Sequence, residues 1–249
     1  MLILNQGGRM KTKAGLFLCL SFAVFFLVCC SQPKSRLPQH QQTSTGKKSK
    51  IPVQNAKPVY KEKKKRKLQP SIIKPKILSR QEWKAKQPVG KMKKHKPKYI
   101  TIHHTASLRK KSISLGKKMQ SLQNFSQRKA YLSNGHLKPA WADVPYHFYI
   151  DVNGKIAEGR DLKFAGDTNT NYDPSGHISI VLEGNFEVEK PLQGQLKSLR
   201  SLLAWLMVSY KIPSSKIKGH SDYASTACPG KNLRMELNML CNQLEKKVK

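Results

Sequence analysis

Two short apolar runs, Tyr99–His103 and His177–Phe186, constrain the fold more than any other feature of this chain. The first places a tyrosine, two isoleucines and a threonine within five residues and reads as a short buried strand. The second runs through Ile178, Ile180 and Leu182 and reads as a central strand. Helical patterns lie between and after them. Met119, Leu122, Phe125 and Ala130 recur at roughly helical spacing and predict an amphipathic helix over Leu115–Leu132, ended by Ser133-Asn134-Gly135. Leu192, Leu196, Leu199, Leu203 and Leu206 predict a second helix, and Leu233, Leu237, Leu240 and Leu244 stripe a third. Pro145–Asp151 and Lys155–Gly159 flank Asn153-Gly154, a dipeptide that favours a tight hairpin turn. Ser79, with Glu82 three residues later, looks like the capping box of a further helix entry. Strands and helices interleave, so the predicted class is α/β: a single domain with a central mixed β-sheet flanked by helices.

That domain is expected to span residues 78–249 only. Residues 31–78 hold 14 Lys and Arg against one acid, Glu62, with many Pro, Gln and Ser. Such a composition cannot bury enough apolar surface to offset ordering, and residues 31–77 are expected to be a disordered basic linker. Ahead of it, Arg9, Lys11 and Lys13 precede an apolar run from Ala14 to Cys30, which reads as a signal peptide over residues 1–30. Translation from Met10 would give a more usual start. Leu27-Val28-Cys29-Cys30 resembles a bacterial lipobox with Cys30 as the lipidated residue; ordinary cleavage or a retained anchor are the alternatives. The expected location is the cell envelope: exported, periplasmic and lipid-anchored through Cys30.

The whole chain carries a net charge of +33. After an export signal, anionic envelope polymers or lipid are better partners for the basic linker than nucleic acid, which is not expected. A plain solvated charge run remains the bland alternative. Residues 79–249 are still basic, with 30 Lys and Arg against 13 acids, a surface that would attract an acidic polymer. Processing at Cys30 leaves Cys30, Cys228 and Cys241, too few for a disulfide framework, although a Cys228–Cys241 bridge stays open. Cys241 lies in a helical apolar stripe and is most simply a small buried hydrophobe.

Cys228 is different, because it sits in a polar Ala-Cys-Pro-Gly loop eight residues after His220. His103 ends the first predicted strand, far upstream. Two imidazoles and a thiolate supply three ligands of a tetrahedral Zn²⁺, and the open fourth position is what distinguishes a catalytic zinc from a structural one. Each of the three, taken alone, has an ordinary structural explanation. His104 is read as packing or as an outer support of the site, and Asp222 as a turn cap. Trp141 and the loop Asp167–Tyr172 are candidates to line a groove.

Four blocks occur in a fixed order: Ser79-Arg80-x-Glu82-Trp83, Ile102-His103-His104-Thr105-Ala106, Pro145-Tyr146-His147-Phe148-Tyr149-Ile150-Asp151-x-Asn153-Gly154, and Gly219-His220-Ser221-Asp222 with Ala227-Cys228-Pro229-Gly230. Together they resemble the type 2 N-acetylmuramoyl-L-alanine amidases, the family that includes phage amidase endolysins and peptidoglycan-recognition proteins, over roughly Leu78–Leu244. The resemblance implies a zinc amidase domain, in a bacterial exported or lipoprotein member, with His103, His220 and Cys228 as metal ligands. It places Tyr146 facing the metal and Thr226 at a lysine-or-threonine position, both as catalytic residues. The implied activity is zinc-dependent hydrolysis of the amide between N-acetylmuramic acid and L-alanine in peptidoglycan, in wall remodelling, lysis or recycling. Cytosolic relatives carry a glutamate where Val181 stands, two residues before Glu183, so no glutamate is assigned a catalytic role.

The alternative is a non-catalytic peptidoglycan-binding module tethered to the envelope. A zinc peptidase is disfavoured, because no His-Glu-x-x-His helix is present to supply its base.

Overall fold

A computed structural model describes residues 72–132 and 135–248. The expected signal segment, the lipobox with Cys30, and the linker up to residue 71 lie outside the described residues, as do Ser133 and Asn134. Among the described residues, no helix is long and apolar enough to cross a membrane.

The element order is β1 (Ile77–Leu78), β2 (Tyr99–His104), α1 (Leu115–Ser126), β3 (Ala130–Tyr131), β4 (Leu137–Lys138), β5 (Phe148–Ile150), β6 (Ile156–Glu158), β7 (His177–Leu182), α2 (Gln193–Tyr210), β8 (Ile217–Gly219) and α3 (Lys231–Val248). One six-stranded sheet has the order β1-β6-β5-β7-β2-β8. Only β5–β6 is antiparallel, joined by the Asn153-Gly154 turn, where Gly154 takes φ +75°. The other neighbours are parallel. The class is therefore α/β with a mixed sheet.

Side chains alternate across a strand, so β2 and β7 each send one set to either face. Ile100, Ile102, Ile178, Ile180 and Leu182 pack with the leucines of α2 and α3. These two helices carry the stripes read from the sequence, and Leu199, Leu203, Leu206, Leu233, Leu237, Leu240 and Leu244 are all buried. Cys241 packs at the margin of that core, and Cys228 and Cys241 are both free, so no bridge joins them. The opposite face receives α1, which with Trp83 covers Val181, Tyr149 and Ala157. Thr101 and His103 of β2 and His177 and Ser179 of β7 share that face beyond α1, and a polar row forms there.

Two expectations need correction. The helix starting near Leu115 ends at Ser126 rather than Leu132. Ala130–Tyr131 instead pairs antiparallel with Leu137–Lys138. The reason is the buried Lys138 ammonium, which donates to the carbonyls of Ser126 (2.9 Å), Arg128 (2.8 Å) and Pro139 (2.6 Å). It satisfies groups that a continuing helix would have bonded itself.

Ser79 and Glu82 do form reciprocal capping bonds: Ser79 N–H donates to Glu82 Oε2 at 2.7 Å, and Glu82 N–H to Ser79 Oγ at 3.2 Å. They close a single turn and not a helix, because Lys84 takes φ +58°. Ile72 and Ile77 pack against the core, and Ile77–Leu78 pairs with β6 at the sheet edge.

Candidate metal centre

The C-terminal ends of β2 and β8 place two imidazoles side by side. Ile102 pairs with Gly219, so His103 and His220 are the next residues along two adjacent parallel strands. Their ring centroids are 4.7 Å apart. The chain then loops out and returns, closed by the Ser221 N–H donating to the Cys228 carbonyl at 2.8 Å. Gly230 permits the return. It has φ +91°, and a Cβ there would lie 2.4 Å from the Phe186 carbonyl carbon.

This brings Cys228 Sγ to 3.6 Å from His103 Nδ1. One ligand atom from each of His103, His220 and Cys228 falls within 4.8 Å of the others. Tetrahedral zinc with bonds of about 2.0–2.3 Å needs its ligand atoms about 3.5 Å apart, a spacing this cluster reaches by small side-chain adjustments.

The surroundings suit such an ion. His103 Nε2 is buried without a hydrogen-bond partner, an orphaned polar atom in the wall of the cluster. Burial holds the His103 imidazole well below its ordinary pKa, helped by the neighbouring His220, His104, His177 and His147. Burial, then His104, lowers His220 to about 4. Both rings are thus neutral at pH 7 and offer lone pairs. Burial pushes the Cys228 thiol up to about 12, against the lowering effect of the His104 amide. A cation entering this cluster therefore displaces the thiol proton, as thiolate metal sites require.

Tyr146 lies above this cluster, its ring 5.1 Å from that of His103. Burial raises its hydroxyl pKa, followed by Cys228 and Tyr172, so it stays a proton-bearing donor. The next residue is held by backbone groups: His147 Nδ1 accepts from Ser179 N–H (2.9 Å) and Nε2 pairs with the Phe164 carbonyl (2.9 Å). Thr226 Oγ1 accepts from Cys228 N–H at 3.2 Å, which braces the loop and leaves its hydroxyl proton to donate.

His104 supports the site through its backbone, donating N–H to Cys228 Sγ at 3.4 Å, while its ring accepts from Phe186 N–H at 3.2 Å. Asp222 is a turn cap. It accepts from Gly219 N–H at 2.8 Å and pairs with Arg234 at 2.6 Å. Glu183 points into the protein interior toward Lys118, and Val181 is buried under α1.

Thr170 lies in the loop read as a groove candidate, but its contact was not foreseen: its hydroxyl lies 2.8 Å from His220 Nε2. Sequence reasoning also missed the pair Thr101–His177, joined at 2.7 Å on the sheet face. Of the groove candidates, Tyr172 packs on His220 at 5.2 Å and stacks on Tyr223 at 5.7 Å. Trp141 sits away with Lys138, 4.4 Å from its ammonium.

A sequence profile of the N-acetylmuramoyl-L-alanine amidase family matches residues 93–231. That is more than half of the chain, and the chain belongs to this family. Peptidoglycan-recognition protein SD of Drosophila melanogaster is 30% identical over 165 residues, covering 63% of this chain and 81% of that protein. The crystal structure of Drosophila peptidoglycan-recognition protein SD superposes with a TM-score of 0.56 at 28% identity, over 65% of this chain and 92% of that one. N-acetylmuramoyl-L-alanine amidase LysC from Clostridium intestinale gives 0.54 at 26% identity, over 69% of this chain and 98% of the other. A mutant of Drosophila PGRP-LB solved in complex with tracheal cytotoxin gives 0.53 at 28% identity, over 65% and 92%.

Proposed function

We propose that this chain is a zinc-dependent N-acetylmuramoyl-L-alanine amidase, cutting the amide between N-acetylmuramic acid and the L-alanine of peptidoglycan. The observation that carries the reading is the convergence of His103, His220 and Cys228 donors within 4.8 Å, three ligands with a coordination position to spare. Membership of the amidase family and the likeness to LysC support the reaction; the likeness to a relative solved with tracheal cytotoxin supports the substrate.

His103, His220 and Cys228 would hold the zinc. The chemistry that ion supplies when bound is Lewis acidity, toward the scissile carbonyl and toward water. Tyr146 donates its hydroxyl proton in a hydrogen bond to the carbonyl oxygen as negative charge develops there. A donor so placed is worth about 3–4 kcal/mol where water is excluded. Thr226 braces the Cys228 loop and keeps its own O–H free to donate to the reacting groups. As a neutral hydroxyl, it contributes a dipole and not a charge.

The basic start and the apolar run before Cys30 support export and anchoring at the envelope, with the Lys-rich linker following as a tether to anionic polymer or lipid. The test is mass spectrometry of purified sacculi after digestion by the zinc-loaded protein. An amidase releases stem peptides beginning with free L-alanine. Stoichiometric zinc and wall binding with no released peptide would instead mark a recognition module.

A further inference from the structure

Resting on that reading of the metal site, we infer that Thr170 is a positioning residue for His220, fixing which ring nitrogen faces the metal. Its Oγ1 lies 2.8 Å from His220 Nε2 and, on its other side, 2.8 Å from Thr168 Oγ1. Thr168 Oγ1 also accepts the Thr170 N–H at 3.2 Å. The metal sets the direction of this chain of bonds: a neutral ring that gives its Nδ1 lone pair keeps its proton on Nε2. His220 Nε2–H donates to Thr170 Oγ1, and the Thr170 hydroxyl donates on to Thr168. Nε2 then carries the proton, and the lone pair is left on Nδ1. A hydrogen bond to the non-ligating nitrogen sets the tautomer and the ring orientation of a metal-bound histidine.

The loop bearing Thr170 is built to hold this geometry. At its start, the buried Arg160 guanidinium donates to the carbonyls of Val144 (2.9 Å), Ala165 (2.6 Å) and Asp143 (3.0 Å), and pairs with Asp167. At its end, the Tyr172 ring packs on His220 at 5.2 Å and on His177 at 5.5 Å. A hydroxyl is thereby fixed at one ring atom of one ligand, in a loop otherwise dense in Gly, Asp and Asn.

The test measures zinc affinity of the full chain by competition with a chromophoric chelator. Thr170→Val keeps the shape and removes the acceptor, and is expected to weaken zinc binding about 10–100-fold. Thr170→Ser keeps the hydroxyl and is expected to restore wild-type affinity. A wild-type protein that binds one zinc, with Thr170→Val binding it equally well, overturns the inference alone. A wild-type protein that binds no zinc overturns the site reading beneath it. Nitrogen-15 NMR of the zinc-loaded wild type decides the matter without any variant: His220 is expected as the Nε2–H tautomer, and an Nδ1–H tautomer refutes the assignment.

Discussion

The Lys118 ammonium on α1 lies 2.7 Å from the Glu183 carboxylate just beyond β7, and both side chains are at most 5% exposed. Glu183 also accepts the N–H of Lys110 (2.8 Å) and of Val152 (3.1 Å). One carboxylate thus ties α1, the loop after β2 and the β5–β6 turn together. Removing one partner strands a buried charge, which costs about 3–5 kcal/mol. Lys118→Met is expected to lower unfolding free energy by that amount in urea titrations. The double variant Lys118→Met, Glu183→Leu should recover part of the loss, because neither charge is then left alone.

His103→Ala and Cys228→Ser are each expected to abolish stoichiometric zinc and wall lysis together. Cys228→Ser is the sharper of the two, since the hydroxyl fits the space but cannot become a thiolate-like ligand. Metal analysis of the dialysed proteins, beside turbidity loss of sacculi, checks both. A Cys228→Ser protein that keeps its zinc would remove the sulfur from the ligand set.

Tyr146→Phe separates metal binding from catalysis. The phenylalanine keeps the ring beside His103 and loses only the hydroxyl, so zinc content should stay at the wild-type level. Loss of one oxyanion donor should cost kcat about 100–1000-fold with little change in KM. Full turnover by Tyr146→Phe would reduce the tyrosine to a packing role.

What the sequence disclosed follows the range of each signal. The α2 and α3 stripes are long and periodic, and the structure reproduces them. His103 and His220 were legible because each lies in a short block at a strand end, and Cys228 because it stands in a polar loop that burial alone does not explain. Their mutual spacing was not, since it depends on the three-residue β8 pairing with β2. The β3–β4 hairpin was hidden because Ala130, five residues beyond Phe125, extends the apolar pattern of α1 only roughly. Lys138 overrides that pattern through carbonyls that no periodicity can mark. The loop holding Thr170 was legible as a groove candidate but the contact was not, because a hydroxyl in a polar loop looks the same whether or not it touches a ligand. The Ser79–Glu82 pair shows the converse: the local bonds form as read, and Lys84 still ends the turn.

Acid sensitivity should arise from His147, which is fully buried and is not one of the three candidate ligands. Its Nδ1 accepts from Ser179 N–H, so a second proton there would face an N–H already in place. Burial is the main cause that lowers its pKa to about 3, with the Phe164 carbonyl opposing. The unfolded chain protonates this imidazole near its ordinary 6.5, whereas the folded chain resists down to about 3. Between those values the unfolded state binds the extra proton, so stability is complete above about pH 6.5 and falls as the pH drops. The steepest contribution of one such group is about 1.4 kcal/mol per pH unit. Burial depresses His103 and His220 in the same direction, and the metal-free protein should show their slopes as well. His147→Gln retains a donor and an acceptor but does not titrate. Urea unfolding of the metal-free protein between pH 4 and pH 7.5 should give the variant a slope shallower by about 1.4 kcal/mol per pH unit. An unchanged slope would mean that the folded protein already accommodates a charged His147, contrary to its bond with Ser179.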